Sequence, residues 1–352
     1  MTGARPDVVT PAPRELWQQL VDDDPDALPS QTPDWTDSIC RTGAFTDASR
    51  LYTWADGRQL CLPMVRRTRL PSRLTTEASQ PFGWGTGGLV AAGGDVGRED
   101  VAAMFADLIR RPALRTMVRP GPRSGDTYAA GAPTGVLTVP YLAQVLDLEG
   151  GFERVWTSRF TGAVRSAVRK AERSRLVVER DSTGRLVPVF HELYQASVAR
   201  WARQQHEPLA LARRRAERRD PRSKFVDVAA RLGNRCTVWT AGLDGQAVAA
   251  IIVLRQGRTA TYWRGAMDKE LAGPPRANDL LHRLAIEDAA RSGDRYYSMG
   301  DSSPESSLAR YKARFGTTPY HYAGYRLERL PLTRADAAVR SAAKRILRFR
   351  EA

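Results

Sequence analysis

Near its C-terminal end the chain reads Met299-Gly300-Asp301-Ser302-Ser303, then Leu308-Ala309-Arg310-Tyr311-Lys312-Ala313-Arg314-Phe315-Gly316. A strand that ends in Gly-Asp, followed by a helix with a lysine, puts an ammonium at the carboxyl end of a strand. Such an ammonium can stabilise the oxyanion that forms when an amine attacks an acyl carbonyl. Lys312 is therefore the first candidate for catalysis, with Tyr311 or Asp301 to handle a proton. A second pattern is charge at helical spacing. Arg165, Arg169 and Arg173 stand at i, i+4 and i+8, one basic face that suits an anionic donor as well as it suits plain solvation. In the third, Gly273-Pro274-Pro275-Arg276-Ala277-Asn278 leads into a helix. Arg276 can meet a phosphate there, but the two prolines remove N–H groups that an anion cradle would use.

Other patterns point to no chemistry. Gly83-Trp84-Gly85-Thr86-Gly87-Gly88 spells a dinucleotide fingerprint, yet the next helix begins about ten residues later instead of immediately. A glycine turn that lets backbone approach a ligand or a neighbouring domain fits better. The four histidines, His191, His206, His282 and His321, lack ligand spacing. Cys40, Cys61 and Cys236 are odd in number and far apart. Neither a metal site nor a disulfide framework is expected, and the cysteine usage fits a reducing, cytoplasmic setting.

The elements that must position these residues follow from periodicity and turn signals. In the first half, helices are expected near 13–22, just after 32–35, and at 99–111, the last with Val101, Met104, Phe105, Leu108 and Ile109 on its buried face. Strands at 49–54 and 59–66 meet at Asp56-Gly57. The apolar stretch 136–148 leads to Gly150-Gly151, read as a domain boundary. The second half predicts a basic helical stretch over 152–174, a strand at 176–180 and helices over 185–205 and 223–232. A three-strand meander (236–241, 247–254, 259–266) is followed by helix 277–291, strand 296–299, helix 305–314 and strand 321–327. This order is α/β with a mixed sheet. Residues 1–13 read as a disordered lead, 14–150 and 151–330 as two domains, and 331–352 as a basic tail helix.

The 352 residues are 42% hydrophobic and 26% charged, a globular composition. The longest apolar run, Ala247 to Leu254, is far short of the ~20 residues of a membrane span, and Met1 to Asp7 carries no apolar leader. Charge is unevenly divided. Residues 1–150 hold 15 Arg and no Lys against 18 acidic residues, net −3; the remainder holds 39 basic against 21 acidic, net +18. That asymmetry suggests a polyanionic partner for the second half.

Together the segments Arg165 to Arg173, Asp244 to Ala250, Thr261 to Ala266, Ala277 to His282 and Tyr311 to Gly316 resemble the FemAB/FemX-like branch of the GNAT acyltransferase superfamily. Pro81 to Leu89 is similar to the glycine-rich strand end of that family's first domain. The resemblance spans most of residues 35–328. It implies two tandem GNAT-like domains, each a mixed, mostly antiparallel sheet flanked by helices, with the acceptor between them and the acyl donor on the second. It implies donor contacts at Arg165, Arg169, Arg173, Arg276 and Asn278, and an acceptor pocket at Trp84, Gly85, Trp263 and Arg264. Lys312 matches the lysine that polarises the acyl carbonyl. The chain departs from the pattern at Ser298, where relatives often carry Asp. The implied activity joins an acyl group to an amine without metal or cofactor. The degraded phosphate loop and the +18 half favour aminoacyl-tRNA as donor, with acetyl-CoA the alternative. A non-catalytic RNA- or polyanion-binding protein is the reading of another class. The acceptor is a small-molecule or peptide amine.

Overall fold

The computed structural model describes residues 5–68, 71 and 73–346. In the first half it contains β1 (Asp7–Val9), α1 (Arg14–Asp23), α2 (Pro33–Thr42), β2 (Phe45–Asp47), β3 (Arg50–Thr53), β4 (Gln59–Leu62), β5 (Val65–Arg67), β6 (Thr76–Ala78), β7 (Val90–Ala91), α3 (Arg98–Ile109), β8 (Arg115–Val118), α4 (Gly125–Gly131) and β9 (Leu137–Asp147). The second half begins with α5 (Gly151–Arg154), α6 (Gly162–Glu172), β10 (Leu176–Asp181), α7 (Val187–Gln204), α8 (Leu209–Arg219) and α9 (Arg222–Leu232). There follow β11 (Cys236–Leu243), β12 (Gln246–Gln256), β13 (Thr259–Met267), α10 (Lys269–Ala272), α11 (Ala277–Arg291), β14 (Tyr296–Asp301), α12 (Ser307–Ala313), β15 (Thr318–Glu328) and α13 (Leu332–Ile346).

The strands form a small sheet, β1-β3-β4-β7, and a large one, β10-β11-β12-β13-β14-β9-β15-β8-β6-β5-β2. Pairings are antiparallel except β13 with β14 and β6 with β8. The meander β11-β12-β13 closes through Asp244-Gly245 and Gly257, all with positive φ, as tight hairpins require. The turn at Gly150-Gly151 is present, both glycines at positive φ. β9, just before it, is hydrogen-bonded to β14 on one edge and β15 on the other. Strand pairing in the large sheet therefore continues from one half of the chain into the other.

Among the described residues four apolar clusters cover the sheets, the smallest packing Trp17, Leu20 and Val21 of α1 on Leu51, Cys61 and Val90 of the small sheet. One lies between α7, α8, α9 and the meander, and includes Trp35 and Trp84 from the first half. On the opposite face, α6 and α11 pack on Leu146, Val248, Ile251 and Tyr297. The third centres on α3 and β4.

Three expectations are corrected. The lead is not without structure where it is described: Asp7–Val9 pairs with Leu51 to Thr53, and the Ala12 N–H donates to Ser49 Oγ at 3.1 Å. Its alternating, β-branched Val8-Val9 completes the small sheet's edge. Ile109 is 51% exposed, because α3 ends there and its last turn leaves the apolar stripe. The predicted strand 59–66 is two strands in different sheets, interrupted at Pro63-Met64. The tail helix begins as expected, and Arg115 of β8 holds Asp336 at 2.8 Å; residues 347–352 of that expectation lie outside the described part.

Candidate active site

β13 and β14 run parallel only from Thr259–Tyr296 to Thr261–Ser298. Beyond that pair β13 stays with β12 and β14 turns to β9, so a gap opens in the sheet. Side chains alternate faces along a strand, and residues of β13 and β14 border two cavities here. Thr259, Thr261, Trp263 and Ser298 border one, of about 250 Å³. Tyr262, Met267 and Met299 border the other, of about 500 Å³.

The second cavity holds the predicted catalytic helix. Lys312 projects from α12, which is capped by Ser306 accepting from the Ala309 N–H. The side chain is buried, and its Nζ donates to the carbonyls of Gly300 (3.0 Å) and Asp301 (2.6 Å). An ammonium has three donors, so one remains for the cavity. Burial lowers its pKa to about 8, opposed by the nearby Asp301 charge. Tyr311 and Asn278 border the same space, and both are under-satisfied. The Tyr311 hydroxyl and the Asn278 Oδ1 are buried with no hydrogen-bond partner among the described residues. Burial holds the Tyr311 hydroxyl well above its usual pKa, so it keeps its proton near neutrality. His282 closes the wall, its Nδ1 3.2 Å from the Tyr297 hydroxyl. Burial and Lys312 push its pKa down to about 3, leaving a neutral ring.

Asp301 is placed differently from expectation. Its carboxylate is engaged by Arg119 and by the Tyr322 hydroxyl (2.7 Å), while only its backbone carbonyl meets Lys312. Its carboxylate oxygens are thus committed to a guanidinium and a phenol instead of to the Lys312 ammonium. Ser298, the position of departure, borders the other cavity.

In that first cavity the structure brings together Trp84, Gly85 and Trp263 as expected, with Trp35 added. Trp35 packs edge-on against both Trp84 and Trp263, at 5.5 and 5.2 Å. Arg264 is elsewhere. A bulge between Ile252 and Val253 shifts the register opposite it. Its guanidinium donates to Gly83 O (2.6 Å) and Asp220 Oδ1 (3.0 Å), in an ionic cluster behind the indoles. There Lys224, fully buried, donates to Asp220 (2.8 Å) and to Gly83 O (2.7 Å), and lies 4.2 Å from the Trp84 ring centre. Burial and the Arg264 charge lower the Lys224 pKa. Asp220 is driven far below the carboxylate range: its burial is outweighed by Arg264 and Lys224. This cluster ties the glycine turn to α8 and α9, and Gly83 needs both its positive φ and its missing Cβ, which would sit 2.9 Å from Arg219 Cγ.

The proposed donor cations divide. Arg165 is spent on the carbonyls of Trp156, Thr157 and Phe160, which end the π-helical turn Val155–Arg159. Arg169 on α6 and Arg173 at its C-cap are exposed, the Arg173 Nε donating to the Arg169 carbonyl at 3.1 Å, and Arg276 is exposed at the start of α11 in left-handed conformation. Asp220, Lys224, Arg119 and Tyr322 were not foreseen. One signal existed for Lys224: a rare lysine in an arginine-rich chain, four residues after an aspartate.

Residues 158–313 match the model of the acetyltransferase (GNAT) domain. No curated protein matches the sequence significantly. Among solved structures, FemX is similar over 94% of this chain and 99% of its own, with 13% identity and a TM-score of 0.65. The C-terminal domain of a protein assigned as a lysylphosphatidylglycerol synthetase from Agrobacterium fabrum is similar over 94% and 95%, with 13% identity and a TM-score of 0.54. L-PGS from Bacillus licheniformis is similar over 95% and 96%, with 12% identity and a TM-score of 0.52. No helix among the described residues is long and apolar enough to cross a membrane. The lysine-bearing helix beside the parting strands lies within the stretch that matches the acetyltransferase (GNAT) domain, and the chain as a whole shares its fold with FemX.

Proposed function

We propose that the protein forms an amide bond by moving an aminoacyl group from aminoacyl-tRNA to an amine acceptor. The observation that carries this reading is Lys312, a buried ammonium with one donor left, which borders the larger cavity and donates to the Gly300 and Asp301 carbonyls of β14. The acceptor amine attacks the ester carbonyl and the C–N bond forms. The oxyanion is held by Lys312, with the Tyr311 hydroxyl as a second donor. The C–O bond to the tRNA then breaks, and the leaving ribose oxygen takes the proton that the amine gives up. The exposed arginines of α6 and α8 support tRNA as donor, since scattered side chains can each meet one phosphate. So does Pro274-Pro275 ahead of α11, which weakens a pyrophosphate cradle. The name of one structural neighbour, lysylphosphatidylglycerol synthetase, points the same way.

Incubation with aminoacyl-tRNA and an amine pool, read by mass spectrometry, should yield acceptors heavier by one aminoacyl residue. Acetylated products from acetyl-CoA alone would replace this donor with the second reading. That reading is favoured by Asn278 and Lys269, which border the larger cavity beside the start of α11. It requires acetyl-CoA at millimolar concentration to raise the melting temperature, since a micromolar site then gains about 4 kcal/mol by mass action.

A further inference from the structure

The smaller cavity contains a buried charge that the reaction above does not use. Asp24 and Asp26 sit side by side on the turn after α1, but they are unlike. Asp26 is neutralised on both oxygens, by Arg258 at 2.8 Å on each and by Arg123 at 2.6 Å. Asp24 is only 4% exposed, borders the cavity, and has no cationic partner among the described residues. Its oxygens accept the N–H groups of Asp26 (2.8 Å) and Ala91 (3.3 Å). A buried carboxylate without a counter-ion is costly, and here desolvation raises its pKa.

An independent observation comes from β13. Thr259, Thr261 and Trp263 stand at alternate positions along the same cavity. Thr259 Oγ1, Thr261 Oγ1 and Trp263 Nε1 are all buried without a hydrogen-bond partner among the described residues, and Thr259 and Trp263 are 3% and 8% exposed. Buried polar atoms are normally satisfied, so three in one row mark a ligand's polar edge.

Register sets the spacing. The Arg258 N–H donates to Pro25 O at 2.9 Å, which pins the Asp24–Asp26 turn beside the start of β13. The strands part beyond Thr261, two residues on, or roughly 7 Å at ~3.3 Å per residue.

We propose that the acceptor is a small diamine with an oxygen function on its chain. Asp24 holds one amine as an ammonium, and the row Thr259, Thr261, Trp263 reads the oxygen. The second amine is presented uncharged at the gap between β13 and β14, where it takes the acyl group and loses its proton to the leaving oxygen. The acylation step rests on the acyltransfer reading; the binding site does not.

Calorimetry without donor tests this with three probes: diaminobutyrate, putrescine and butylamine. Putrescine should bind about tenfold or more tighter than butylamine, the size of one charged hydrogen bond, and diaminobutyrate tighter still. Asp24→Asn removes the charge and keeps an oxygen for one of the two N–H groups, Asp26 N–H on Oδ1 or Ala91 N–H on Oδ2. It should therefore erase the putrescine advantage, while butylamine binding, read in the same variant, stays as in the wild type. Thr261→Val, nearly isosteric, should weaken diaminobutyrate and leave putrescine unchanged. Equal affinity for putrescine and butylamine in the wild type, unchanged binding by Asp24→Asn, or no binding of either diamine at about 10 mM would overturn the proposal. Diamines that bind but are never acylated would leave the site standing and remove the acyltransfer reading. Wild-type turnover of some other amine by Asp24→Asn would do the reverse.

Discussion

At Lys312 burial and hydrogen bonding act in opposite directions. Burial destabilises the ammonium, while the two carbonyls and the Asp301 charge favour it, leaving a pKa of about 8 against 10.5 in water. A lysine that works as a cation is active with its proton bound, below that value. Turnover should therefore fall as pH rises through about 8, the descending limb belonging to the free enzyme in kcat/KM. A rising limb in that window would mean that the neutral amine acts as a base, and the oxyanion role would be wrong. Lys312→Ala should lower kcat about 10²–10³-fold, as the removal of one oxyanion donor does, with donor affinity little changed. Tyr311 separates structure from chemistry in a different way. Its hydroxyl is buried and unpartnered, so Tyr311→Phe should leave stability equal or slightly higher. The same variant should lose turnover; unchanged kinetics would reduce Tyr311 to a packing residue.

At the level of elements, the glycine turn 83–88 holds its place through the cluster on α8 and α9. Lys224 reaches across 141 residues of sequence to Gly83 O while neutralising Asp220 four residues before it. Asp220 also keeps Arg264, Arg219 and the Tyr194 hydroxyl. Lys224→Met therefore removes one of several partners, and the expected loss is about 3 kcal/mol in urea unfolding, at the lower end for a broken buried pair. Because Lys224 also backs Trp84, ligand affinity at the indole-lined cavity should fall with it. A variant as stable as wild type would show that the turn is held by Arg264 alone.

Across the whole molecule, the basic excess of the second half is less available than its count suggests, because many arginines are already paired or, like Arg165, bound to carbonyls. Arg169 on α6 and Arg173 at its C-cap are both exposed. If tRNA lies there, replacing both by Gln should reduce the logarithmic salt slope of binding by about two units. Arg165→Gln should leave that slope unchanged and lower the melting temperature instead. Equal slopes for all variants would make α6 a solvated surface and shift the donor toward acetyl-CoA.

Local periodicity and turn chemistry carried most of the element order: the meander, α7, α11 and the lysine-bearing α12 are all where their own residues put them. Lys312 and Tyr311 were singled out by their place after a strand ending in Gly-Asp, and Trp84 and Trp263 through the family resemblance; the structure puts the first two beside one cavity and the two indoles beside the other. What a side chain is spent on was not legible. Asp301 could not be assigned to Arg119, 182 residues away, nor Arg264 to Asp220, nor Arg165 to the end of a π-helical turn, until the chain was folded. The same holds for β9, which reads as the last apolar stretch before Gly150-Gly151 and in fact joins β14 to β15. Spacing along the sequence determines which face of an element a residue occupies. Which distant group meets that face, and so whether a charge is free for chemistry, is decided only when non-local strands pair and exclude water.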